Sequence, residues 1–112
     1  MTIFERISAR EIPADIVHET TDFLAFRDVN AQAPVHVLIV PKRVIPRIGA
    51  AQAEDAELLG QMLAAVPEIA GKLGVAESGF RIVINNGADA GETVPHLHIH
   101  LLGGRALQWP PG

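Results

Sequence analysis

The 112 residues suffice for one domain with one core, and a chain 48% apolar but only 4% aromatic must build that core from aliphatic side chains. The absence of cysteine excludes disulfides, thiolate metal sites and a cysteine nucleophile. A formal charge of −4, with nine Lys and Arg scattered along the chain, argues against an extended nucleic-acid partner, but a few donors could still hold a single nucleotide.

The first residues lack the basic and then apolar run of a signal peptide, and no stretch approaches the roughly 20 apolar residues of a membrane span, so a cytoplasmic protein with no membrane partner is expected. Thr2 and Glu5 are spaced as a capping box, which predicts a short helix carrying the stripe Ile3, Phe4 and Ile7 and ending before Pro13. Residues 15–19 and 23–27 read as strands joined by the polar turn Thr20-Thr21-Asp22. The β-branched run 35–40, closed by Pro41, suits a central strand buried on both faces, with Lys42 and Arg43 at its solvated end. Over 54–73 the apolar residues fall on one helical face, with a kink expected near 63–66 because of Pro67, and Gly74 as the C-terminal cap. Strands at 80–85 and 94–102 flank the loop 86–91, and Gly103-Gly104 ends the last one. One long helix on hairpin-paired strands makes an α+β domain with a mainly antiparallel sheet.

Three of the five histidines lie within five residues, His96-Leu97-His98-Ile99-His100. In a strand, alternate residues share a face, so the three imidazoles point one way and Leu97, Ile99 and Leu101 the other. Polar residues on a half-exposed strand, a metal site completed by His36, Asp89 or Glu92, and nucleophilic or acid–base chemistry are three competing readings. Phosphorus chemistry suits the third. A neutral imidazole can attack phosphorus while its neighbours donate to phosphoryl oxygens and to the leaving group, and crowded histidines resist being charged together. Gly87, Gly91 and Thr93 add amides and a hydroxyl beside the imidazoles, as an anion site requires. Taken alone, His36 reads as a hydrogen-bonded core histidine, Asp28 as a turn residue, Phe4 and Phe26 as core, and His18 as a surface strand residue.

The segment His96 to Leu102 also has the alternating pattern that gives the histidine-triad (HIT) superfamily its name, and the chain resembles the Hint branch, the purine nucleoside phosphoramidases, over essentially its whole length. Thr2-Ile3-Phe4, Glu11-Ile12-Pro13, Leu24-Ala25-Phe26, Gln32-Ala33-Pro34, Val40-Pro41-Lys42, Leu102-Gly103-Gly104-Arg105 and Trp109-Pro110-Pro111-Gly112 are similar to that branch in order. The resemblance implies a single HIT domain over residues 1–112. Its fold would be α+β, a five-stranded antiparallel sheet with one long and one short helix, extended across a homodimer. The tail 103–112, with Trp109, would reach toward the partner's site. It implies His98 as the nucleophile that becomes adenylylated, His100 at the phosphate and leaving-group side, His96 and His36 as positioning members of the cluster, and Thr93 at the leaving atom. Asp28 would hold the ribose hydroxyls. Ile3, Phe4, Ile7, Phe26 and Val29 would enclose the purine, while Asn85, Gly91 and Glu92 would border the phosphate. The implied reaction is hydrolysis of nucleoside 5′-phosphoramidates to a nucleoside monophosphate and an amine. It requires no cofactor, and zinc at the histidines would be adventitious.

Three positions depart from the branch: Glu92 stands where Gln is common, Val44 where histidine is frequent, and Pro95 where an aromatic or aliphatic residue is usual. The alternatives are a dinucleoside polyphosphate hydrolase of the Fhit type, a nucleotide-binding or scaffolding protein with incidental hydrolysis, and a metalloprotein built on the same histidines. The Gly103-Gly104-Arg105 turn and the Trp-Pro-Pro-Gly ending speak against the first.

Overall fold

The computed structural model describes residues 1–112. Thr2 caps helix α1 (Ile3–Ser8). Its hydroxyl accepts the Glu5 N–H at 3.1 Å and the Glu5 carboxylate accepts the Thr2 N–H at 2.8 Å, the reciprocal pair predicted from their spacing. Strands β1 (Ile16–Glu19) and β2 (Phe23–Arg27) are joined by a turn in which the Thr20 hydroxyl accepts from the Asp22 and Phe23 amides. Strand β3 (Val35–Pro41) is buried along nearly its whole length, as its apolar run requires.

The long helical segment divides into α2 (Ala56–Ala64) and α3 (Val66–Lys72), and the break at Ala65 falls where Pro67 predicts it, with Pro67 in the first turn of α3. A 3-10 turn, Ala53–Asp55, leads into α2. Arg43 is exposed at the end of β3, as expected, and also makes a structural contact. It pairs at 2.6 Å with Asp55, which is buried and also accepts the Gln52 amide at 2.8 Å, and this ties the end of β3 to the start of the helix. Lys42 likewise pairs with Glu19 at 2.8 Å.

Strands β4 (Phe80–Val83) and β5 (Ile99–Gly103) complete one antiparallel sheet in the order β1-β2-β3-β5-β4. Both are shorter than the predicted 80–85 and 94–102. Pro95 has no N–H to give, the His96 amide turns back to the Val94 carbonyl, and the Leu97 amide goes to Ile45. With no ladder before Ile99, β4 loses its partner beyond the Val83–His100 pair. Gly103 and Gly104 close β5 for steric reasons: a Cβ on Gly103 would lie 3.0 Å from the Val75 side chain, and Gly104 has φ +89° with a Cβ position 2.9 Å from Pro34.

The sheet divides the interior in two. Phe23, Ala25, Val37, Ile39, Leu97, Ile99 and Leu101 pack on one side against Leu58, Met62, Val66 and Ile69 of α2 and α3. Leu24, Phe26, Leu38 and Val40 pack on the other side against Phe4 and Ile7 of α1. No helix is long and apolar enough to cross a membrane. Leu101, fully buried in the larger cluster, carries the period-two pattern at its centre. Leu101→Ala should cost about 2–5 kcal/mol of unfolding free energy, read as a lowered urea midpoint at unchanged slope.

Candidate active site

Because Leu97, Ile99 and Leu101 face α2 and α3, the alternating histidines face the α1 side, although only His100 lies within β5. Their environments differ. His96 is fully buried and bonded at both nitrogens, with Nε2 2.7 Å from the Pro41 carbonyl and Nδ1 2.7 Å from the Thr2 hydroxyl. A carbonyl can only accept, so Nε2 carries the proton and Nδ1 accepts from Thr2. Burial holds the His96 pKa below its ordinary value, against the pull of the Pro41 carbonyl, Glu5 being a lesser influence.

His98 places Nδ1 2.8 Å from the carbonyl of His96. The same logic puts the proton on Nδ1 and leaves the Nε2 lone pair free. The Phe4 ring lies edge-on to both His96 and His98, at 5.5 and 5.1 Å between centroids, so α1 roofs the triad.

His36, on β3, is buried, and its Nδ1 accepts the Gln32 amide at 3.0 Å. Its proton is therefore on Nε2, which donates to His100 Nδ1 at 2.9 Å and thereby fixes His100 as an Nε2–H donor when neutral. Burial lowers the pKa of His36. It lowers that of His100 further, to about 4, with the charges of His98 and His36 acting in the same direction. Asp28 opposes both shifts, with Oδ2 3.5 Å from His36 Nε2.

His98, His100 and Asp28 open onto a cleft of about 360 Å³ between α1 and the sheet, lined mostly by apolar groups. Of the predicted residues, Ile3, Phe4, Ile7, Phe26, Asp28, Val29, Thr93, His98 and His100 line it, and Ile12, Pro13, Ala14, Arg27, Leu38 and Val94 join them. Asp28 is also the turn residue its context suggested, since its Oδ1 accepts the Asn30 amide at 2.9 Å. A larger open groove of about 460 Å³ beside α2 is lined mainly by charged and polar side chains and contains no histidine. His18 lies elsewhere, stacked on Phe23 with Glu68 at 3.1 Å.

His36, His96, Asn85, Gly91, Glu92 and Trp109 are outside the cleft lining, the two histidines lying behind His98 and His100. Trp109 is exposed, with the Arg81 guanidinium 5.9 Å from its ring centre. The expected anion-binding amides are engaged elsewhere: Gly87 N–H goes to Glu92 Oε1 at 2.9 Å and Gly91 N–H to the Ala88 carbonyl at 3.0 Å. Glu92 is held by a two-pronged pair with Arg47, Nε and Nη2 each 2.9 Å from a carboxylate oxygen, and these bonds bring its pKa down to about 2. The sequence carried no signal for Arg47 at this site, nor for Thr2 and Gln32 as partners of the histidines.

Asp28, His36 and His100 offer three donor atoms within 4.8 Å of one another, the arrangement that could hold a divalent metal. The set fits a resident metal poorly. Coordination through His36 Nε2 would move its proton to Nδ1, where the Gln32 N–H already donates.

An α+β domain with four histidines gathered under a roofing helix defines a histidine-cluster protein, and comparison places it further. The HIT domain profile matches residues 9–107, and the chain belongs to the HIT domain family. It is 57% identical to an uncharacterized HIT-like protein of Synechocystis over 99% of this chain and 96% of that one. It is 47% identical to the 14 kDa zinc-binding protein of Zea mays, over 99% and 88% of the two chains. A crystal structure of a HIT family hydrolase from Legionella pneumophila superposes with a TM-score of 0.96 at 44% identity, covering 100% of both chains. The α+β fold with its five-stranded antiparallel sheet is thus that of the family.

Since His36, His96 and His100 all bind protons more weakly when folded than when unfolded, the unfolded chain takes up more protons as pH falls below about 6.5. Stability present above pH 6.5 should therefore drain away toward pH 4. Calorimetry should find Tm at pH 5 lower than at pH 7.5 by roughly 5 °C or more, with a smaller drop in His100→Gln.

Proposed function

We propose that this HIT protein hydrolyses the P–N bond of purine nucleoside 5′-phosphoramidates through a nucleotidyl intermediate on His98. The observation that carries the reading is the 2.8 Å bond from His98 Nδ1 to the carbonyl of His96, which leaves Nε2 as a lone pair at the edge of the cleft. Nε2 forms a bond to phosphorus as the P–N bond breaks, and the leaving amine takes its proton from solvent, to which the hydrolytic water returns one in the next step. Water then cleaves the P–Nε2 bond, releases the nucleoside monophosphate and restores the imidazole.

His100, a donor at Nε2, is suited to a phosphoryl oxygen, and the Thr93 hydroxyl to the leaving atom. Asp28 can accept from two ribose hydroxyls, and Ile3, Phe4, Ile7, Phe26 and Val29 offer an apolar slot for a purine. His96 and His36 act as supports, since all of their ring nitrogens are already paired within the protein. The similarity to HIT family hydrolases supports the hydrolytic class. The step draws on no metal, and zinc at Asp28, His36 and His100 would be an adventitious competitor.

We also propose a homodimer formed by one domain from each chain. Strand β4 is a sheet edge with Phe80 and Ile82 partly exposed on one face, and the Arg81 guanidinium of that edge lies 5.9 Å from the centre of the Trp109 ring. Pairing two such edges would continue the sheet and carry residues 103–112 toward the partner's cleft.

With an adenosine phosphoramidate, the wild-type chain should release AMP, and His98→Ala should slow turnover by on the order of 10³-fold or more. Equal rates in the two proteins would remove the assignment, as would loss of activity after exhaustive chelation. Sedimentation should give twice the chain mass, and Ile82→Arg should give the single chain.

A further inference from the structure

Glu92 does not line the cleft but directly precedes Thr93, which does, so on the nucleotide reading its carboxylate lies close behind the phosphate position. An uncompensated carboxylate there would repel the ligand. The chain answers this locally. Arg47, at the entrance to the 3-10 turn Ile48–Ala50, covers both carboxylate oxygens at 2.9 Å, and the next residues are tied to the same loop by the Gly49 amide on Asn86 Oδ1 at 2.7 Å. Glu92 also closes its own loop, accepting the Gly87 amide and returning its N–H to the Gly87 carbonyl at 3.1 Å. Its side chain is only 12% exposed, so the pair is partly shielded from solvent.

We propose that Arg47 is a charge-balancing and positioning residue of the nucleotide site: it cancels Glu92 and holds the loop 87–93, so that the ligand's phosphate meets a neutral wall. This rests on the reading of the cleft as a nucleotide site. The structure shows no other role for an arginine at this position, which belongs to neither core cluster and does not line the cleft.

The test is a four-protein cycle, with binding of AMP and of adenosine measured by calorimetry in low salt. One charge added near a phosphate across a partly screened surface changes affinity by on the order of tenfold. Arg47→Ala should therefore weaken AMP about tenfold, Glu92→Gln should tighten it severalfold because Arg47 is then unopposed, and the double variant should return close to wild type. Adenosine, which lacks the phosphate, should bind all four alike. The inference is overturned if AMP affinity does not follow this charge order, or if Arg47→Ala weakens adenosine equally, which would mark a collapsed loop. A wild-type chain that binds neither ligand would sink the nucleotide reading and this inference with it. Normal AMP binding that is indifferent to Arg47 would sink this inference alone.

Discussion

A neutral imidazole has two nitrogens and one proton, and that constraint governs this site. Burial depresses the pKa of His36, His96 and His100, so each of these rings must present a donor on one side and an acceptor on the other. Every partner that the fold supplies respects this. Pro41 and His96 offer carbonyls, Gln32 offers an amide and Thr2 a hydroxyl, and the four together leave one tautomer for each of the four rings. The cluster is therefore a wired set with two open ends, the lone pair of His98 and the N–H of His100, both at the cleft.

The sheet makes this economical. A single run of residues, 96–102, sends its apolar members into the larger core and its imidazoles to the opposite side, where α1 provides a second and smaller core. Stability and chemistry share a backbone but use opposite faces of it. A register slip of one residue would bury the imidazoles among Met62 and Ile69 and turn Leu101 out to the cleft.

That much could be read in the residues. The alternation of histidine and aliphatic side chains, the β-branched run of β3, the capping pair Thr2 and Glu5, and the break at Pro67 are local signals, each with a local cause. What stayed hidden depends on contacts distant in sequence. Nothing near His96 announces that Thr2, at the other end of the chain, meets its ring, and nothing near Glu92 announces Arg47. The irregular path of 94–98 was missed for a related reason: the alternation of side chains persists without a ladder, because the Leu97 amide is satisfied by Ile45 instead of a neighbouring strand. The loop glycines pointed the wrong way: their place before the imidazoles suggested amides open to an anion, whereas Gly87 and Gly91 use theirs within the loop.

Thr2 serves two elements at once. Here one hydroxyl both starts the helix that roofs the cleft and holds the first histidine, accepting from Glu5 while donating to His96. Thr2 thus works as a clasp, and moving α1 away from the sheet would take from His96 the partner of its Nδ1. The roof of the cleft and the orientation of the first histidine are therefore fastened by the same hydroxyl.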